Sequence, residues 1–250
     1  VIANADDPLV VWSAGTATHV VWVNTATSWT ADAALCPACG SVLTTADGRW
    51  DCPGCELTQP EAGWVVDGDT IQLPDGTRVA PQLRLPGAFN VSNAACALAA
   101  AVELGVDVEA ALHGMRTVTS PAGRFATATL HGTSVRLLLA KNPAGWAEAL
   151  PLALSDPVIL AIDSVAADGK DVSWLWDVDY EQWQGRAVVA TGPRAQDLGV
   201  RLAYAEVEHQ VLPDLATALT AATPAGAAAP LDLIATYTPF QKLLKMAGLR

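Results

Sequence analysis

Lysine and arginine are scarce in this chain: 14 stand against 26 aspartates and glutamates, a formal net charge of −12 over 250 residues. The shortage is uneven. Residues 1–120 hold four Lys/Arg against thirteen Asp/Glu, and residues 121–250 hold ten against thirteen. Arg49 is the only one before Arg78. A surface that grips nucleic acid needs such cations to neutralise phosphates, so the first half argues against that class of partner. Long apolar runs are missing as well. The longest, Ala94 to Val102, is ended by Glu103 and falls far short of the ~20 residues of a membrane span. No charged-then-apolar leader opens the sequence. No Gly-x-x-x-x-Gly-Lys-Ser/Thr occurs, so these residues carry no phosphate-cradling P-loop of that pattern. No Ser-His-Asp or Cys-His arrangement suggests a nucleophile, and no internal repeat is visible.

Half of the residues are apolar and nine are Trp, enough for a sizeable core in one or two domains. The most specific local signal is Cys36-Pro-Ala-Cys39-Gly, then twelve residues between the two pairs, then Cys52-Pro-Gly-Cys55. Two Cys-x-x-Cys pairs bent by Pro and Gly can aim four thiolates at one point, the all-sulfur donor set of a structural zinc. Two disulfides suit small secreted chains better, and a redox pair would not need a second copy. With every donor a protein sulfur, no coordination position is left for water, so the expectation is a staple rather than an active site. The fifth cysteine, Cys96, sits beside no partner in sequence and points to a reducing, cytoplasmic setting.

Val1–Asn4 has the look of a buried strand end, followed by a turn at Ala5-Asp6-Asp7-Pro8, and a domain seldom begins on such a strand. Sequence upstream is therefore expected. Strands are expected at His19–Val23, Trp64–Val66, Thr70–Leu73 and Thr77–Ala80, the last three separated by Asp67-Gly68 and Asp75-Gly76 turn signals. Strands on both sides of the cysteines make the ribbon, about residues 34–58, an insertion into a larger sheet. An Ala-rich helix from Asn90 to Leu104 stops at Gly105, and a short helix spans Val108–Met115. Thr117–Gly123 has linker composition, which divides the chain at 1–120 and 121–250. Beyond it strands are expected at Phe125–Leu130, Val135–Ala140, Val158–Ile162, Val188–Ala190 and Leu231–Ala235. Helices alternate with them at Ala144–Leu154, Arg194–Tyr204, Pro213–Ala222 and Pro239–Leu249. This is the pattern of an open α/β sheet whose ligand sites lie at the carboxyl ends of its strands.

Four stretches invite chemistry. In Gly87-Ala88-Phe89-Asn90-Val91-Ser92-Asn93, Asn90 and Asn93 share a helix face. Asn90 can serve as a simple N-cap, whereas the Asn93 carboxamide, donor and acceptor at once, can meet an adenine edge. Gly123-Arg124 is either a hinge with a surface Arg or a phosphate contact. Lys141-Asn142-Pro143-Ala144-Gly145 falls between strand and helix, where a plain connection and an anion site are equally served. The stretch Asp168-Gly169-Lys170-Asp171-Val172-Ser173-Trp174-Leu175-Trp176-Asp177 follows an apolar strand. Its Asp168-Gly169 suits a turn, Asp171 suits a cap, and Trp174 and Trp176 suit either core or a partner surface.

Taken together, these stretches and Asn4-Ala5-Asp6-Asp7-Pro8 resemble the Mur ligase family, over nearly the whole chain to about Thr236-Tyr237-Thr238. The cysteine ribbon and the Asp-Gly-Lys-Asp-Val-Ser-Trp segment resemble its amidating branch in particular. The resemblance implies an α/β fold: the later part of a central ATP-binding domain with an inserted four-cysteine zinc ribbon (1–120), then an open α/β C-terminal domain (121–250). It implies use of ATP with Mg, zinc at Cys36, Cys39, Cys52 and Cys55, and amidation of the D-glutamate α-carboxylate in lipid II. Ammonia would come from a GatD-like glutamine amidotransferase subunit, and the work would be done in the cytoplasm at the inner membrane face. Carried over by position, Asn93 corresponds to the adenine-binding Asn, Arg124, Lys141 and Asn142 to the nucleotide side of the cleft, and Asp171 to an Asp completing the partner's Cys-His pair. Family members carry a P-loop and a magnesium-binding acid ahead of the strand where this sequence starts, so these residues alone are expected not to hydrolyse ATP. A conventional Mur ligase would lack the ribbon and the Asp171 segment. A zinc-ribbon module that only binds a partner is the rival from another class.

Overall fold

A computed structural model describes residues 1–26, 34–118, 125–165, 169–223 and 229–249. Arg124 and Asp168 lie outside the described residues. The chain divides into two compact units, Val1–Thr119 and Ser120–Arg250.

The first unit is built on a sheet of order β1-β2-β5-β6-β7, formed by β1 (Ile2–Asn4), β2 (Val21–Asn24), β5 (Trp64–Asp67), β6 (Thr70–Gln72) and β7 (Arg78–Val79). The first three run parallel and the last two return as antiparallel hairpins. Gly68 and Gly76, both at positive φ, turn those hairpins as the Asp-Gly signals imply. β2 pairs directly with β5, and the small hairpin of β3 (Thr44–Ala46) and β4 (Arg49–Asp51) lies in the connection between them. The ribbon is thus an insertion in a parallel crossover.

Two details depart from the sequence expectation. Asp7-Pro8 is not only a turn: it opens a helix, α1 (Pro8–Ala14), with Asp7 accepting from the Leu9 and Val10 amides and Pro8 in the first turn. The Ala-rich helix α2 (Ala88–Glu103) begins two residues earlier than expected, at a Gly87 cap with φ +100. Asn90 is therefore inside the helix, not its cap. Val91, Ala94, Ala95, Leu98 and Ala99 form the buried face of α2, packed on Val23, Trp64, Val66 and Ile71. Small side chains let the helix approach the sheet closely. Gly105 in the left-handed region ends it, and α3 (Val108–Arg116) follows, capped by Asp107.

The second unit is a six-stranded sheet of order β12-β11-β10-β13-β9-β8, parallel except for β8. Its strands are β8 (Phe125–Leu130), β9 (Thr133–Leu139), β10 (Val158–Ala161), β11 (Ala187–Thr191), β12 (Glu208–Val211) and β13 (Leu231–Ala235). His131-Gly132, both at positive φ, makes the two-residue turn from β8 to β9. Along β10 the side chains alternate between two cores. Val158 and Leu160 meet Trp146 of α4 (Pro143–Ala149) and Leu198 and Leu202 of α5 (Ala195–Tyr204). Ile159 and Ala161 meet Leu219 of α6 (Leu215–Ala222) and Phe240 and Leu243 of α7 (Tyr237–Met246). Covering both faces is what allows β10 and β13 to be wholly buried. The expected helix Ala144–Leu154 is shorter, giving way to a 3-10 turn at Leu150–Leu152. β12 has no counterpart among the expected strands, because Glu-His-Gln-Val has no apolar pattern. It is an edge strand, held by its backbone ladder to β11.

Candidate metal centre and active-site elements

The four ribbon sulfurs lie within 4.8 Å of one another. Cys36 and Cys55 Sγ are 3.6 Å apart and Cys39 and Cys52 Sγ 3.4 Å, much too long for disulfides. Thiolates around one zinc at about 2.3 Å stand about 3.8 Å from each other, so the donor set fits a tetrahedral ion. Local backbone geometry makes the two knuckles. The Gly40 amide donates to the Cys36 carbonyl with Gly40 at φ +76, and the Gly54 amide donates to Cys52 Sγ at 3.4 Å. Gly54 has no room for a side chain: a Cβ there would sit 2.1 Å from Ser41 Oγ. Hydrogen bonding with the Ser41 side chain and backbone draws the Cys39 thiol down to about 6, whereas burial pushes the Cys52 thiol up.

At the end of β1, the Asp6 carboxylate accepts from the Thr25 amide at 2.7 Å, and Asn4 Oδ1 accepts from the Asp6 amide at 2.9 Å. Thr25 in turn offers its carbonyl to the Ser92 hydroxyl at 2.7 Å, so the Asn-Ala-Asp-Asp loop and the first turns of α2 are bonded together. The next residue on α2 is Asn93, whose side chain is exposed. Asn90 Nδ2 donates to the Pro86 carbonyl at 2.6 Å, closing the loop before the helix. The two asparagines therefore differ in role: one is bound to its own backbone, the other is presented outward.

In the second unit, the carboxyl ends of the parallel strands collect most of the remaining candidates. Lys141 follows β9, its ammonium 4.5 Å from the centre of the Tyr237 ring. Asn142 caps α4 by accepting from the Gly145 amide at 2.9 Å, so its oxygen is already engaged. Asp171 follows β10. Its carboxylate is exposed and accepts from the Ser173 amide at 2.8 Å and the Ser173 hydroxyl at 2.9 Å, opening a 3-10 turn over Ser173–Asp177. Those two bonds, the amide first, hold its carboxyl below the usual range, so it is ionised at neutral pH. Trp174 packs on Trp146, centroids 6.0 Å apart, whereas Trp176 is 53% exposed and meets Tyr204 edge-on. Arg201, buried and bonded to Glu181 at 2.7 Å, supplies a cation that the local sequence did not suggest.

Sequence reasoning also missed Asp163. It directly follows the apolar strand, its carboxylate is buried, and it accepts from the Ser164 amide at 2.8 Å with Lys242 Nζ at 3.4 Å. Its own amide donates to Thr236 Oγ1 at 3.0 Å, linking the ends of β10 and β13. A polar residue directly after Val-Ile-Leu-Ala-Ile was the available signal; Lys242 gave none.

Comparison with known proteins locates one family match within the second unit. Residues 139–240 match the family model for the MurT ligase C-terminal region. The chain is 34% identical over 137 residues to the lipid II isoglutaminyl synthase (glutamine-hydrolyzing) subunit MurT of Staphylococcus aureus strain COL, covering 52% of this chain and 31% of that protein. It is 30% identical over 173 residues to the subunit of the same name from Streptococcus pneumoniae, covering 59% and 36%. Residues 139–240 thus resemble the C-terminal region of MurT ligases. The chain spans about a third of the length of these MurT relatives. The likeness of fold extends beyond the matched sequence: a pseudomurein peptide ligase type C from Methanothermus fervidus superposes with a TM-score of 0.68 at 16% identity, covering 99% of this chain and 56% of that one. Lys141, Asn142 and Asp171 fall inside the MurT-matching region, while the ribbon and Asn93 precede it.

Proposed function

We propose that this MurT-like chain is part of an ATP-dependent amide ligase that amidates the α-carboxylate of D-glutamate in the lipid II stem peptide. Residues 1–120 are the later part of the central ATP-binding domain, with the ribbon at about 34–58, and residues 121–250 are the C-terminal domain. The phosphate cradle comes from outside these 250 residues. By the resemblance, Asn93 is the adenine-binding residue, and Arg124, Lys141 and Asn142 are nucleotide-binding residues. The carboxylate takes the γ-phosphoryl group, ammonia then attacks the acyl phosphate, and phosphate leaves. The cations favour charge developing on the transferring oxygens. Magnesium arriving with ATP would neutralise phosphate charge; zinc at the four cysteines would be structural.

Ammonia comes from a GatD-like glutamine amidotransferase bound to the second unit, in the cytoplasm at the inner membrane face where lipid II is presented. Among the described residues no helix is long and apolar enough to cross a membrane. The observation that carries this proposal is the exposed, ionised Asp171 carboxylate, held outward on its turn within the MurT-matching region. An Asp of that kind can orient a partner's catalytic His and stabilise its imidazolium, as in a Ser-His-Asp triad.

The test is Asp171→Asn in the assembled complex. Asparagine keeps an oxygen for the Ser173 amide, so turn and complex persist, while glutamate release falls by about 10⁴-fold. Asp177→Asn and Asp168→Asn are the local controls and leave hydrolysis nearly unchanged. Full glutaminase activity in the Asp171→Asn complex removes the shared triad.

A further inference from the structure

The ribbon holds more than its own cysteines. Trp50, on β4 and nearly buried, donates its indole N–H to the Ala5 carbonyl at 3.2 Å. Gln59, also buried, donates from Nε2 to Asp6 Oδ1 at 2.9 Å and accepts from the Trp50 amide with Oε1 at 3.1 Å. Its carbonyl takes Arg49 at 2.7 Å. From Asp6 the bonds continue to the Thr25 amide and hydroxyl at 2.7 and 3.0 Å, then from the Thr25 carbonyl to the Ser92 hydroxyl at 2.7 Å. The bonds from Trp50 to Ala5, Gln59 to Asp6, Asp6 to Thr25 and Thr25 to Ser92 join segments far apart in sequence. Thr25 and Gln59 are buried and Asp6 half-buried, and a hydrogen bond counts most where water is excluded.

We propose that the ribbon is a positioning device. Through Trp50 and Gln59 it sets the Asp6 carboxylate, and through Thr25 and Ser92 it sets the first turns of the helix that presents Asn93. Cys36, Cys39, Cys52 and Cys55 would hold zinc next to β4, and that staple would keep β4 and Gln59 in place against the Asp6 loop. Gln59 is a positioning residue and does not touch the ligand. The relay stands on the geometry alone; only its consequence for nucleotide binding rests on the role proposed for Asn93.

Gln59→Glu places a second carboxylate against Asp6 while leaving the acceptor for the Trp50 amide in place. In the zinc-loaded chain, hydrogen exchange at the Thr25 amide and at the first amides of α2 should quicken about three- to tenfold, the loss of one modest hydrogen bond. Zinc content and exchange in the β8–β9 hairpin should not change. The paired variant Asp6→Asn/Gln59→Glu reverses the polarity: the new carboxamide at position 6 accepts from Thr25 through its oxygen and donates through its nitrogen to the new carboxylate at position 59. Protection should return. Unchanged exchange at Thr25 and α2 in Gln59→Glu, or a paired variant no better protected than the single one, overturns the relay. ATP binding in the longer ligase is the second measurement, expected to weaken with Gln59→Glu and recover in the pair. Exchange that responds as expected while ATP affinity stays constant upholds the relay and overturns the adenine-site role of Asn93.

Discussion

Asp232 offers a stability prediction whose size can be worked from the sheet. It lies on β13 directly opposite Arg136 on β9, with its side chain 1% exposed. Its carboxylate accepts four bonds: Arg136 Nε at 2.6 Å, Arg136 Nη2 at 2.8 Å, the Leu154 amide at 2.6 Å and the Ser155 amide at 2.9 Å. One side chain thus ties two neighbouring strands to the segment that leads into β10. Asp232→Ala leaves a guanidinium and two amides without their acceptor. Breaking a buried pair from one side costs about 3–5 kcal/mol. Arg136 keeps 25% of its side chain exposed and can regain water, which places the cost near the lower bound, about 3 kcal/mol. For a chain of this length that corresponds to a fall in Tm of about 6–12 °C. Because the orphaned cation supplies much of the penalty, Arg136→Met added to Asp232→Ala should cost little more, so the double-mutant cycle is strongly non-additive. Urea and thermal denaturation of the four proteins, followed by Trp fluorescence, measure this. A loss under about 1 kcal/mol for Asp232→Ala, or additive single changes, refutes the reasoning.

Two further outcomes follow from the first unit. The reduced chain should bind one zinc, and Cys52→Ser should abolish stoichiometric binding and loosen the ribbon while the second unit keeps its own melting transition; metal analysis that finds no zinc in freshly purified reduced protein contradicts the site. Asn93→Ala should weaken ATP binding by about tenfold in the longer ligase, the size of one well-made hydrogen bond, with α2 intact by circular dichroism. Unchanged affinity by calorimetry takes Asn93 out of the nucleotide site.

Local chemistry in the sequence determined a good deal. Twin Cys-x-x-Cys pairs lie in the ribbon, Asp-Gly and His-Gly steps turn the hairpins, and the Ala-rich run is α2. Each is written within a few residues, because a turn, a helix or a knuckle depends on neighbours along the chain. The runs at Val158 and Leu231 are equally plain, since strands buried on both faces need apolar side chains throughout.

Tertiary structure decided what those segments meet. The order that sets β13 between β10 and β9 follows from closing the sheet, and β12 joins its edge through backbone bonds that need no apolar pattern. The Asp163–Lys242 pair spans 79 residues, and Gln59 reaches Asp6 across 53. Periodicity reports which face of an element is buried, never what buries it. A hydrogen bond between distant polar side chains leaves no mark on the residues around either one. The ribbon was therefore legible as a four-cysteine cluster, while its grip on the Asp6 loop emerged only once the chain had folded back on itself.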